Sequence, residues 1–391
     1  MSYWAQPGYD PERFDLAIQM FERAVELDST FVLAYVELVD GHGGLYYHLD
    51  PREERLAKAK KALDRALTLQ PELSKVRLAK GYFHYYCFKE YDLALEIFHA
   101  VERDLPNNSD IQAAIGYIYR RQGKIDKAVD RLERALDLDP QSAHLHSELG
   151  ETYEALRVYD RADQYFTQAI ALAPDTRQTY EMKAQNSLRW KGNTNEARSI
   201  LAQSPGNEQS ISWIEFDLYD REFNDVLDRI SSISPILVDQ PVFQGLLLVY
   251  KGVSHHYLNQ PELRHAAFDE ARILMENRLN EVPESHYCHA ILGIALCGLG
   301  RKEEAIREGE IAVELISDDR FLGPSLLESL ARIYACVDEG DKAIDILQQL
   351  METHYDGAIS VWNLKKSVSW DPLRDNPRFQ RLIEKYSVVE S

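Results

Sequence analysis

The stretch GETYEALRVYDRADQYFTQAIALAP, Gly150 to Pro174, places small residues at its most constrained points and nothing reactive beside them. Leu149, Tyr153 and Leu156 recur at helical spacing on one segment, and Tyr159, Phe166, Ile170 and Leu172 do so on the next. Two helices are predicted, each with one apolar stripe. Gly150 and Ala162 lack bulk where these helices would cross, so the backbones can approach closely while Tyr153 and Phe166 fill the flanking space. Ala169 has the same task against a following unit. Pro174 cannot continue the second helix, and Asp175 and Thr176 can cap the next one. The chemistry written here is that of packing.

The same residue types return at a fixed interval. Gly116, Ala128, Ala135 and Pro140 recur as Gly150, Ala162, Ala169 and Pro174, each 34 positions later, and Ala94, Phe98 and Pro106 extend the series one unit earlier. This period and these residues resemble the tetratricopeptide repeat. The resemblance implies an all-α fold, a right-handed α-α superhelix (TPR solenoid) of about nine helical hairpins with a C-terminal helical cap.

Extending the frame divides the chain. Residues 1–29 are expected to form a partial repeat, because PERFDLAIQMFERAVELD reads as a second helix whose first helix is missing or reduced to residues 1–9. That edge is either a cap or a place from which the chain once continued into another domain. Residues 30–207 form the regular array, in units near 30–74, 75–108, 109–142, 143–176 and 177–207. Within the first of these, Gly43 and Gly44 are expected to break the leading helix. Residues 208–285 keep the helix pair loosely, around Trp213, Phe216, Phe223 and Val226, with a long helix through FDEARILMENRLNEVP. Residues 286–356 return to the pattern with Gly293, Gly300, Ala305 and Ala312, then Leu330, Ala331, Tyr334 and Ala343. Residues 357–391 read as a capping segment, in which Asn376 caps a helix opened by Pro377 and Phe379, Leu382, Ile383 and Tyr386 share its apolar face. Docking of a partner by WDPLRDNPRF is the rival reading.

Composition narrows the function classes. The 391 residues are 45% hydrophobic and 28% charged, a folded composition, and 64 acidic residues against 44 basic ones give a formal charge of −20. Such a field repels phosphate backbones and anionic lipid surfaces, so neither nucleic acid nor a membrane is the expected partner. No apolar run approaches the roughly 20 residues that cross a bilayer. The start MSYWAQPGYDPERF lacks the features of a secretory signal, and a cytoplasmic location is expected by default. Cys87, Cys288, Cys297 and Cys336 stand at unrelated spacings in apolar helical patterns and are expected to be buried thiols, with neither a zinc site nor a disulfide frame.

Four segments, FVLAYVELVD, LDPREERLAKAKKALDRALTLQP, LGRKEEAIREGEIAVEL and WDPLRDNPRFQRLIEKY, together resemble the repeat regions that follow serine/threonine kinase, adenylate cyclase or winged-helix regulator modules in bacterial signalling proteins. That resemblance spans residues 11–386 and implies a regulatory or sensor region controlling such a module. The sequence itself holds no kinase glycine loop, H-R-D with D-F-G, or P-loop, so the expectation is a recognition function without catalysis or cofactor.

Chemical candidates are few. His144 and His146 lie two apart, on different helix faces, unlike the i, i+4 pair of a zinc helix, and His255 with His256 meets the same objection. Glu148 and Glu151 share a face and could in principle exchange a proton, although a solvated face also explains them. The stronger candidate is the inner wall formed by the first helices. The frame places Phe83 and Tyr86 there, then Tyr117 and Arg120, then Ser147, Glu151 and Glu154, then Met182, Asn186 and Arg189. This wall suits a protein or peptide ligand, with the aromatics burying apolar side chains and Arg120 or Arg189 accepting a carboxylate. The same aromatics could instead close the core between repeats. The family also grips C-terminal carboxylates with Lys and Asn at set first-helix positions. The corresponding places here hold Ala79 with Phe83 and Ala113 with Tyr117, which departs from that mode.

Overall fold

The structure is a computed structural model, and it describes residues 11–48, 51–233 and 241–387. The fold is all-α, and no strand occurs among the described residues. The leading helices are α1 (Pro11–Leu27), α2 (Val32–His48), α3 (Glu53–Leu69), α4 (Ser74–Phe83), α5 (Tyr91–Asp104), α6 (Ser109–Arg121) and α7 (Ile125–Leu138). Next come α8 (Ala143–Ala155), α9 (Tyr159–Leu172), α10 (Arg177–Lys191), α11 (Thr194–Leu201), α12 (Ser212–Asp220) and α13 (Phe223–Ser232). The rest are α14 (Pro241–Tyr257), α15 (Pro261–Glu281), α16 (His286–Gly298), α17 (Lys302–Glu314), α18 (Gly323–Cys336), α19 (Gly340–Met351), α20 (Val361–Lys366) and α21 (Pro377–Ser387). The chain divides into two compact units, one of residues 1–152 and 167–179, the other of residues 153–166 and 180–391. The expected first helix within residues 1–9 lies outside the described residues.

One backbone feature marks the hairpins more sharply than any side chain. Lys89, Gly123, Arg157, Gly192, Arg221, Asn259, Gly300 and Asp338 all have positive φ, between 55° and 76°, and each stands just after a first helix. A left-handed residue there closes the helix and turns the chain into its partner. The first three are 34 residues apart, so the sequence period is the period of this turn. Five of the eight are not glycine, and each carries a strain of about 1 kcal/mol.

The unit of α4 departs from the frame by one residue. Ser74 begins its helix 15 positions before Lys89, whereas Ser109 and Ala143 begin theirs 14 before Gly123 and Arg157. The extra residue is taken up by a π-helical turn over His84–Phe88. Upstream of that turn every equivalent position shifts by one. Gly81 therefore does the work of Gly116: a Cβ at Gly81 would overlap the Phe98 ring, and one at Gly116 would lie 3.0 Å from Leu132 Cγ. Phe98, Leu132 and Phe166 are completely buried, as are Ala94, Ala128, Ala135, Ala162 and Ala169. Burial of each aromatic ring stabilises its unit by roughly 1.5–3 kcal/mol.

Two expectations are corrected. The α2 helix runs through Gly43 and Gly44 without a break, because both are buried and the Tyr86 ring packs where a Gly43 side chain would stand, its Cδ2 3.4 Å from the Cβ position. Contact with that ring offsets the ~0.5–1 kcal/mol lost by glycine inside a helix. Cys297 and Cys336 are not two thiols but a disulfide, with Cα atoms 6.4 Å apart. They stand on α16 and α18, first helices of consecutive hairpins that pack side by side, and their 39-residue separation hides the pairing from a 34-residue frame. Cys87 and Cys288 are buried free thiols, as expected.

In the second unit the C-terminal segment lies along the turns of three hairpins. Arg157 donates to the carbonyl oxygens of Leu350, Thr353 and Ile359 at 2.9, 3.0 and 3.2 Å. Trp362 covers Gly192, whose carbonyl accepts from Lys366 Nζ at 2.7 Å. Arg221 pairs bidentately with Asp371 at 2.7 and 2.8 Å, and Tyr257 donates to the same carboxylate at 2.6 Å. Trp370, Leu373, Phe379 and Leu382 of this segment are buried with Leu347, Leu350 and Tyr355. The Arg378 N–H donates to Asn376 Oδ1 at 2.8 Å, which caps α21. Gly192→Ala is expected to lose about 2–3 kcal/mol of stability in a thermal melt, since the added methyl group meets the Trp362 ring and the residue has φ +62°. A melt unchanged by that substitution would contradict the placement of Trp362.

Candidate functional site

In the first unit, side chains of successive first helices touch in sequence and form a wall. Tyr47 of α2 stacks on Tyr85 with ring centroids 5.8 Å apart, and Tyr85 meets Tyr86 edge-on at 4.9 Å. Tyr82 stacks on Tyr86 at 5.6 Å and turns its edge to the buried Phe98. Arg121 of α6 lies over the Tyr47 ring at 5.5 Å and donates to the Tyr85 hydroxyl at 3.0 Å. Tyr117 of α6 is hydrogen-bonded to His144 Nε2 of α8 at 2.9 Å. Tyr47, Tyr82, Tyr86 and Tyr117 all keep part of their surface in solvent.

Arg120 is the electrostatic centre of this wall. The residue is 4% exposed, its Nη2 donates to Glu148 at 2.7 Å, and its Nη1 donates to Glu151 at 2.7 Å and to Thr152 Oγ1 at 3.2 Å. Burial works against the Arg120 charge, and Glu151 with Glu148 more than offsets it. Burial likewise works to raise the Glu148 carboxyl, but Arg120, His144 and Arg121 outweigh it and hold the group below the usual glutamate range. The Glu148–Glu151 pair is therefore an anionic clamp on a guanidinium. A carboxylate held low in this way is a poor proton donor near neutral pH.

The sequence-derived residues fall into different surroundings. Phe83 is 5% exposed and belongs to the core with Val76, Ala79 and Cys87, while its neighbour Tyr82 takes the wall position. Arg120 is buried as well, with its guanidinium 5.6 Å from the Tyr117 ring centroid and donating to Glu151, so it is occupied by its own carboxylates. The partly exposed Tyr86 packs on Tyr82 and Tyr85. Ser147 is buried, with its hydroxyl 3.4 Å from Thr179 Oγ1. Tyr47, Asp40 and Arg121 are not singled out by sequence, and the run GYFHYYCF from Gly81 to Phe88 is the signal that points nearest to them.

In the second unit Glu154 is ion-paired with Arg189, and burial pushes the Glu154 carboxyl up against that pull. Asn186 is fully buried and donates to the Tyr159 carbonyl at 3.0 Å, a packing role. Met182 is half-buried on α10. Glu215 accepts from Tyr250 at 3.3 Å and from Gln185 at 2.5 Å, and burial raises its carboxyl as well. Asn363 of the C-terminal segment donates to Tyr219 at 2.7 Å and accepts from Trp370 Nε1 at 2.9 Å.

Among the described residues no group of three or more His, Cys, Asp or Glu could hold a metal ion, and no helix is long and apolar enough to cross a membrane. His146 lies 3.3 Å from the Pro140 carbonyl, and His255 lies 2.6 Å from Gln260 Oε1.

Comparison with known proteins agrees with this frame. A family model described as TPR repeat matches residues 116–157, and one described as tetratricopeptide repeat matches residues 145–179 and 326–358. The photosystem I assembly protein Ycf3 of Synechococcus elongatus is 34% identical over 120 residues, which cover 26% of this chain and 67% of that protein. Anaphase-promoting complex subunit CDC16 of Saccharomyces cerevisiae is 30% identical over 128 residues, or 30% of this chain, and the match spans 15% of the yeast subunit. A solved thermophilic TPR protein from Thermus thermophilus aligns with 45% of this chain and 92% of its own, at 20% identity and a TM-score of 0.39. With its recurrent left-handed turn, its buried small residues at helix crossings and these sequence matches, the chain belongs to the tetratricopeptide repeat proteins.

Proposed function

We propose that the chain is a non-catalytic scaffold that binds a protein partner through an extended peptide segment laid on the first-helix wall of the first unit. The observation that carries this reading is the row of partly buried tyrosines, Tyr47, Tyr82, Tyr86 and Tyr117, each keeping some surface in solvent and set among fixed charges. Tyrosine and arginine dominate binding hot spots because they bury large area at low cost in side-chain entropy. The names of two relatives, a subunit of a complex and an assembly protein, support a role among proteins.

The test replaces partly solvent-facing rings and leaves the buried Phe83 and Arg120 alone. Full-length protein carrying Tyr47→Leu and Tyr117→Leu is expected to capture at least about tenfold less of its partner from a lysate of the source organism, with its melting temperature within a few degrees of the parent. Undiminished capture by the double variant would place the binding face elsewhere.

A further inference from the structure

Asp40 on α2 is a carboxylate whose inner oxygen is left unsatisfied. Its Oδ1 is buried and accepts no hydrogen bond, while the residue as a whole keeps part of its surface in solvent. The charged groups around it are mostly of its own sign: Glu37 on the same helix and Asp110 at the start of α6, opposed by Lys75 at the start of α4. Tyr82 of α4 lies close enough for its hydroxyl to be raised by Asp40, after burial and Asp110. Burial, with Glu37 and Asp110, pushes the Asp40 carboxyl well above the usual aspartate range. Such a group is a burden on the folded state above the ordinary aspartate pKa, because folding must either desolvate the charge or take up a proton. Packing gives no reason for it.

The neighbouring stretch of wall gives that reason. Arg121 lies on the Tyr47 face with the Tyr85 oxygen beside it, and Arg120 lies over the Tyr117 ring at 5.6 Å with two carboxylates beside it. Twice, this face seats a guanidinium on a tyrosine ring next to oxygen acceptors. Asp40 stands one turn before Gly43 on α2, the Tyr86 ring packs against Gly43, and Tyr82, stacked on Tyr86, feels the Asp40 charge; among the described residues no ion pair is formed with Asp40. Oδ1 is closed to solvent, so an incoming cation would meet this carboxylate through the part of the residue that stays exposed.

We propose that Asp40, Tyr82 and Tyr86 form a pocket for the cationic side chain, lysine or arginine, of a peptide bound on the first-helix wall. The inference rests on that wall being the peptide-binding face. Cation–π attraction and a carboxylate act together on such a group, and Glu37, Asp110 and the overall charge of −20 add a field that draws basic segments in and turns acidic ones away.

The experiment uses the full chain and a series of fluorescein-labelled decapeptides, identical except for a central arginine, lysine, acetyl-lysine or glutamate between leucines. Fluorescence anisotropy is expected to show the arginine and lysine peptides binding at least about tenfold tighter than the acetyl-lysine and glutamate peptides. Asp40→Asn should remove that preference, and Tyr82→Phe, which keeps the ring face and its packing on Phe98, should retain it. Asp40→Asn should also leave the melting temperature at neutral pH unchanged or higher. Equal binding of acetyl-lysine and lysine peptides, or a preference that survives Asp40→Asn, overturns the pocket and leaves the wall standing as a peptide site. Failure of every peptide to bind overturns both. A melting temperature lowered by Asp40→Asn makes the carboxylate a structural acceptor and likewise overturns the assignment.

Discussion

Arg120→Met is expected to destabilise the first unit by about 3–5 kcal/mol, although methionine fills similar volume and belongs in a helix. The guanidinium is 4% exposed and is shared by Glu148 and Glu151, whose side chains are 20% and 21% exposed. Its removal leaves two carboxylates facing each other across a partly dry space, and that uncompensated charge is the main cost. The triple variant Arg120→Met, Glu148→Gln, Glu151→Gln should recover at least about half of the loss, because it deletes the stranded charges along with the cation. Hydrogen exchange over Ser109–Arg121, followed with a urea melt, reads the effect in the right unit. A loss below about 1 kcal/mol, or a triple variant no better than the single one, would show that the pair is not what holds α6 to α8.

The pH dependence of the same cluster has a definite sign. The folded Glu148 carboxyl sits below its ordinary value of 4.5, so its contribution is fully present above that value and disappears as pH falls through the lowered one. The wild-type advantage over the triple variant should therefore shrink in acid below about pH 4.5, and it should be flat from neutrality upward.

How much of this is legible in the sequence depends on where the 34-residue frame holds. Between Lys89 and Arg157 it holds residue for residue, and Gly116, Ala128, Leu132, Ala135 and their partners 34 positions on fall on the correct helices from spacing alone. Upstream of the π-helical turn it slips by one. Spacing puts Phe83 on the wall for that reason, when Tyr82 holds the position, and it passes over Gly81, which precedes Gly116 by 35. A one-residue insertion is invisible to periodicity when the chain absorbs it inside a helix instead of in a loop. Asp40 escapes for a different reason: its significance lies in what surrounds it from α4 and α6, and no spacing within α2 encodes that. Asn186 does stand on a first helix, as its spacing requires, yet it turns inward to the Tyr159 carbonyl.

Arg157 carries no signal in the sequence beyond its place 34 residues after Gly123, and its substitution has the other large expected effect. At φ +59° the residue closes α8, and its side chain meets three carbonyl oxygens between Leu350 and Ile359. Charge-assisted hydrogen bonds of this kind contribute roughly 1.5–3 kcal/mol each in favourable surroundings, and the half-buried position reduces that. Arg157→Ala is expected to lower the stability of the second unit by about 4 kcal/mol, combining the lost donors with the strain of an alanine at positive φ. Two further variants separate these parts. Arg157→Gly removes the donors and relieves the strain, so it should be about 1 kcal/mol better than alanine and still well below the parent. Arg157→Lys keeps the charge and reaches fewer carbonyls, so it should fall between glycine and arginine. Thermal melts should give the order Arg, Lys, Gly, Ala, and hydrogen exchange should rise first over residues 350–373. If glycine matches the parent, the turn conformation alone matters and the carbonyl clamp is irrelevant. If exchange rises in α8 and α9 while residues 350–373 stay protected, the C-terminal segment is held by Trp362 and Asp371 without help from Arg157.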